Sequence, residues 1–102
     1  VVIRRKMDSE LKSVDRMCFV LASYNGGYGH LLDARRLAAE MELDPDKWFN
    51  NVEHSMALLS KQEYAERAKY GWCKSDIIVN YVNEIMLRYH HYNQLISKKE
   101  NQ

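Results

Sequence analysis

Residues 22–30 read ASYNGGYGH and carry three of the chain's four glycines, Gly26, Gly27 and Gly29. How the flanks of this stretch are patterned decides the fold. Asn25-Gly26 is a favoured two-residue hairpin turn, but such a turn needs strands on both sides. Upstream, Met7, Leu11, Val14, Cys18, Leu21 and Ala22 recur at spacings of 4, 3, 4, 3 and 1, one stripe of an α-helix. Downstream, Leu31, Ala34, Leu37, Ala38 and Met41 repeat the helical spacing, with Arg35, Arg36 and Glu40 left for solvent. A phosphate-binding loop is excluded too, because GGYG lacks the GxGxxG spacing, a following Lys-Ser/Thr and a strand leading in. The reading that remains is a helix C-cap in which a glycine accepts positive φ, followed by a tight return into a second helix. One glycine suffices for a cap. The other two suggest that something approaches the backbone closely, where Tyr24, Asn25, Tyr28 and His30 offer ring faces and hydrogen-bonding groups.

Beyond the second helix, Asp44-Pro45 signals a helix start and predicts a short helical turn bearing Trp48 and Phe49. Asn50 or Asn51 can cap a further helix through Val52, Met56 and Leu59, and Ser60 with Glu63 has capping-box spacing. Tyr70-Gly71-Trp72 breaks the pattern. A last helix, capped by Ser75, carries Ile78, Tyr81, Val82, Ile85, Tyr89, Tyr92 and Ile96 on one face and should run to about Leu95. No strand-like alternation longer than a few residues and no internal repeat occur, so the fold class is all-α. Val1-Val2-Ile3 is expected to be a short strand or a stub.

Composition agrees with one folded domain: 102 residues, 46% apolar, 28% charged. The net charge of +1 argues against nucleic acid and acidic membranes as partners, since these demand a concentrated basic field. Arg4-Arg5-Lys6 is the one tight basic run and reads as a solvated terminal segment. No apolar run approaches the ~20 residues that span a bilayer, and the first residues lack the centre of a signal peptide. Beginning at Val1, the sequence is expected to be a processed product or a fragment. Cys18 and Cys73 fit no zinc spacing; Cys18 reads as a buried thiol, and one bridge between the two is an open alternative. His30, His54, His90 and His91 show no metal-binding pattern, so neither metal nor cofactor is expected. Trp48 and Trp72 are core candidates first and ligand contacts second.

The residues LASYNGGYGHLLDARRLA, followed by DPDKWFNNVE and LLSKQEYAERAKYGWCKSDIIVNYVNEIMLRYHHY, resemble the lysozyme-like lytic transglycosylase family. Within it, they are similar to the C-terminal part of the catalytic domain of the membrane-bound murein type of Gram-negative bacteria. The resemblance covers residues 14–96, leaving 1–13 as an N-terminal segment or stub and 97–102 as a tail. It implies a lysozyme-like helical domain whose parent cleaves the bond between N-acetylmuramic acid and N-acetylglucosamine, giving a 1,6-anhydromuramic end. One carboxylic acid does both proton transfers there, because the sugar's own hydroxyl is the nucleophile. Tyr24 and Asn25 match the motif lining the groove beside that acid, Gly27 its closing glycine, and Tyr81 the late tyrosine facing the same site. The family's Glu-Ser and Gly-Leu-Met-Gln segments are absent. Glu10, the sole glutamate before Tyr24, reproduces neither motif nor distance, so no catalytic acid is assigned and the chain alone is expected to be inactive. The implied partner is the peptidoglycan glycan strand and the implied place the periplasmic side of a bacterial envelope. The rival reading is a non-catalytic helical module binding peptidoglycan or protein. A missing helix would also leave an apolar face exposed and favour self-association.

Overall fold

A computed structural model describes the backbone of residues 2–100 and the side chains of residues 12–99. Five helices follow in order: α1 (Val2–Gly26), α2 (Tyr28–Glu40), α3 (Glu53–Leu58), α4 (Gln62–Ala65) and α5 (Ser75–Glu100). There is no strand among the described residues, in keeping with the all-α, lysozyme-like domain that the resemblance implies. The short strand considered at the start is therefore corrected: Val2 and Ile3 belong to α1, and Val1 lies outside the described residues. The helix begins five residues before the first apolar stripe residue, Met7, and α5 continues past Leu95 to Glu100.

The stripes meet in one core. Cys18 and Ala22 of α1, Leu31, Ala34, Leu37 and Ala38 of α2, Met56 of α3, and Ile78, Val82 and Met86 of α5 are buried around a fully buried Trp48. Alanine at positions 22, 34 and 38 lets the helix backbones come close, and each buried apolar side chain contributes by leaving water. α1 and α5 run antiparallel, since Gly26 abuts Ile78 while Val14 shares a groove with Met86 and His90. α3 is tied to α2 by Ser55, whose hydroxyl donates to the Ala34 carbonyl at 2.6 Å. Ser75 opens α5 as expected, but its hydroxyl donates to the Ala57 carbonyl at 3.1 Å and so fastens α5 to α3. α2 ends in a Schellman arrangement, with Leu43 N–H on the Ala38 carbonyl at 2.8 Å and Glu42 in the left-handed region at φ 62°.

The connection from α2 to α3 departs from the expected helical turn. Asp44 Oδ1 accepts the Asp46 N–H at 2.9 Å, an Asx turn in place of a helix N-cap. Residues Trp48–Val52 close a loop through Val52 N–H to the Lys47 carbonyl, yet Phe49 is extended (ψ 127°) and Asn50 is left-handed (φ 62°). This kink turns Trp48 into the core and leaves Phe49 exposed. Asn51 does not cap a helix: its side chain accepts from Asp44 N–H and donates to the Phe49 carbonyl, both at 2.9 Å. Instead Glu53 Oε1 accepts the Asn50 N–H at 3.0 Å, the acidic half of a capping box. The Ser60–Glu63 box is likewise unmade, for α4 starts after Lys61 with no side-chain cap.

The open question of a disulfide is answered by two free, buried thiols. Burial pushes the Cys18 thiol up to about 12, helped by the charges of Asp15 and Glu53, and the Cys73 thiol up to about 11, helped by Asp33.

Candidate functional site

The glycine junction behaves as a helix cap and return. α1 ends at Gly26, Gly27 takes φ 97° and ψ 142° with its N–H on the Ser23 carbonyl at 2.8 Å, and α2 begins at Tyr28. That combination of angles is open essentially to glycine alone. The two remaining glycines are explained from within the chain. A Cβ on Gly26 would stand 2.2 Å from Ile78 Cδ1, and one on Gly29 would stand 2.6 Å from the Tyr70 ring. What approaches the backbone at these two positions is thus the protein's own α5 and its own 66–74 loop.

Outside this packed junction, the tyrosines face solvent. Tyr24 is 86% exposed and Tyr28 63%, and Asn25 between them is exposed as well. Tyr24 and Tyr28 line an open groove of about 480 Å³ along one flank of α1 and the start of α2, with Phe19, Leu31, Arg16 and Arg35. Arg35 stiffens its far end: Nε donates to the Pro45 carbonyl at 2.9 Å, a terminal nitrogen meets Asp46 at 2.7 Å, and the guanidinium lies 5.1 Å from the centre of the Phe19 ring. The groove therefore offers two exposed phenol rings beside a cation held in place, a mixture of apolar faces and fixed polar groups found at ligand sites in general.

Tyr81 is placed differently. It is partly buried against the core and does not line the Tyr24 groove. Its link to the junction is through α5, where it follows Ile78, the residue against Gly26, by one turn, roughly 4.5 Å along the axis. Glu10 lies in α1, with its side chain outside the described residues. The partly buried carboxylates Asp15 and Glu53 serve Trp48: Asp15 accepts its backbone N–H at 3.0 Å, and Glu53 accepts from the Asn83 amide, which in turn accepts the Trp48 indole N–H at 3.0 Å.

Asn83 is a residue that sequence reasoning missed. It stands on the floor of a second groove, of about 430 Å³, between Val14, Phe49, Met86 and His90. An amide between the apolar Val82 and Met86 was the available signal. Two expectations for aromatics are also revised. Tyr89 and Tyr92, expected to pack, are 41% and 61% exposed because the described core ends at Met86; Trp48 is core, whereas Trp72 is at the surface. Among the described residues no His, Cys, Asp and Glu cluster could hold a metal, and no helix is long and apolar enough to cross a membrane.

Comparison with known proteins gives the motif its context. No protein-family profile matches the chain. It is 39% identical over 87 residues to the membrane-bound lytic murein transglycosylase F of Shewanella sediminis, which is 85% of this chain and 18% of that protein. The proteins of the same name from Shewanella baltica (strain OS155) and Shewanella oneidensis are each 38% identical over 84 residues, 82% of this chain and 17% of theirs. The chain thus spans less than a fifth of the length of these relatives. Over most of its own length it is lytic transglycosylase-like, related to one segment of the membrane-bound murein transglycosylases of type F.

Proposed function

We propose that this chain forms one wall of the glycan groove of a peptidoglycan lytic transglycosylase. The observation that carries the reading is the exposed Tyr24-Asn25 pair at the Gly27 junction, within a sequence related over 85% of its length to murein transglycosylases. Tyr24 and Tyr28 offer ring faces to the apolar side of a sugar, and the Asn25 amide offers both a donor and an acceptor to its hydroxyl and acetamido groups. Tyr81 lies one turn beyond the Ile78 that abuts Gly26, in the α5 segment that backs this junction. The reaction is cleavage between N-acetylmuramic acid and N-acetylglucosamine with formation of the 1,6-anhydro ring, on the periplasmic side of the envelope. Its general acid comes from a glutamate outside the residues assigned here.

Two measurements on the chain test this. It should sediment with purified peptidoglycan sacculi, and Tyr24→Ala should lower the bound fraction several-fold. Incubation with sacculi should release no anhydromuropeptides. Release would mean that the acid is present in this chain, and unchanged sedimentation of Tyr24→Ala would remove the groove from the proposal.

A further inference from the structure

Trp72 is an indole that the fold holds in place without burying. It is 55% exposed, yet its Nε1–H donates to the Ser60 carbonyl at 2.9 Å, which anchors one edge of the ring. The loop that carries it is tied down on both sides. Upstream, the buried Asp33 accepts the backbone N–H of Lys69 at 3.1 Å and of Tyr70 at 2.8 Å. Downstream, Cys73 is buried in the core. Between these ties, Gly71 turns at φ 78°, and the space where its side chain would stand is empty.

An aromatic face presented so rigidly loses little conformational freedom on binding, which is what makes such rings effective contacts. The face borders an open groove of about 370 Å³ whose other walls are Ser60, Gln62, Ala65 and Glu66. Gln62 Nε2 donates to Glu66 Oε1 at 2.9 Å, which leaves the Gln62 carbonyl oxygen and the second Glu66 oxygen without a hydrogen-bond partner among the described residues. One wall is therefore a flat apolar ring, and the other is rich in acceptors and carries negative charge. A ligand that fits has an apolar face, several outward donors and no anionic group. A pyranose of the neutral N-acetylhexosamine class has all three, with its C–H face for the indole and its hydroxyl and acetamido N–H groups for Gln62 and Glu66.

We propose that the Trp72 groove is a second glycan subsite that takes a neutral N-acetylhexosamine ring. The proposal rests on the reading of the chain as a glycan binder, and the two sites are joined through the same loop. Tyr70 covers Gly29 at the junction, and Trp72 lies two residues on, within about 7 Å of Cα separation.

The test is a ¹H–¹⁵N NMR titration of the chain with the tetrasaccharide of N-acetylglucosamine. The Trp72 indole N–H and the Gln62 side-chain amide should shift together on one saturating curve, while the Trp48 indole N–H, buried in the core, stays put. Trp72→Ala should weaken that curve about tenfold, and Trp72→Tyr, which keeps a ring face, by less than about threefold. The unchanged Trp48 signal certifies the fold of each variant. Shifts at Tyr24, Asn25 and Gly27 without any at Trp72, or a Trp72→Ala variant that binds as well as the parent, would overturn the subsite and leave the Tyr24 groove standing. Shifts at Trp72 alone would uphold the subsite and remove the Tyr24 groove, and no shift at either would remove both.

Discussion

Replacing Gly27 by alanine separates the two roles that a glycine can have at this junction. The added methyl group meets nothing closer than His30 Cδ2 at 3.9 Å, an ordinary contact, so steric crowding contributes nothing. What remains is the backbone at φ 97° and ψ 142°, where an L-residue costs about 1–3 kcal/mol. Alanine also narrows the unfolded ensemble, which offsets roughly 0.4–1 kcal/mol of that cost. With mid-range values of about 2 kcal/mol for the strain and about 0.7 for the offset, the net loss is about 1.3 kcal/mol, and at about 4–8 °C per kcal/mol for a domain of this size the melting temperature should fall by roughly 5–10 °C. Thermal unfolding followed by far-ultraviolet circular dichroism reads this directly. A variant that melts within about 2 °C of the parent would refute the argument that the junction enforces this conformation. If that variant also failed to sediment with sacculi, the glycine would be serving the ligand and not the fold.

Asp33→Asn leaves one oxygen where two now receive the Lys69 and Tyr70 amides, so one part-buried N–H loses its acceptor at a cost of about 1 kcal/mol. Hydrogen exchange at Lys69 and Tyr70 should accelerate, and unchanged exchange would show that Asp33 does not hold the loop. The thiols set an alkaline limit on stability. Because the folded values, about 12 for Cys18 and about 11 for Cys73, lie above the ordinary 9.0, the folded state binds these protons more tightly. Their contribution is complete below pH 9 and is lost as the pH rises through 9 towards 11–12. Urea unfolding at pH 7.5 and 10.5 should show the loss, and the Cys18→Ala, Cys73→Ala double variant should show a smaller one; equal losses would refute it.

The helices were legible where a stripe met a partner. Cys18 and Ala22, Leu31 to Ala38, and Ile78 and Val82 are apolar at helical spacing and are buried at that spacing. Periodicity reports only which face of a helix is apolar, and not whether another helix covers it. For that reason Tyr89 and Tyr92 read as packed although they are exposed. The turn from Asp44 to Asn51 was illegible for a different reason. Asp and Asn side chains there bond to nearby backbone groups, and this competes with helix formation at the same residues. At the glycines the sequence identified the junction but not the neighbours. Ile78 lies about fifty residues from Gly26, and Tyr70 about forty from Gly29, beyond the reach of any local pattern. The exposure of Tyr24 and Asn25, and the pin that Asn83 makes between Trp48 and Glu53, likewise depend on tertiary placement.

The antiparallel seam between α1 and α5 has a consequence for how the chain folds. Helical domains usually assemble quickly because their contacts are local, but here the core closes only when segments some fifty to seventy residues apart come together. α2 and α3, neighbours in sequence and in space, can pair early, while Ile78, Val82 and Met86 complete the core only when α5 arrives. Docking of α5 is thus the step at which native packing is reached. During synthesis that step cannot precede the emergence of α5 from the ribosome, a window in which the α1 face around Cys18 and Ala22 lacks its α5 partner.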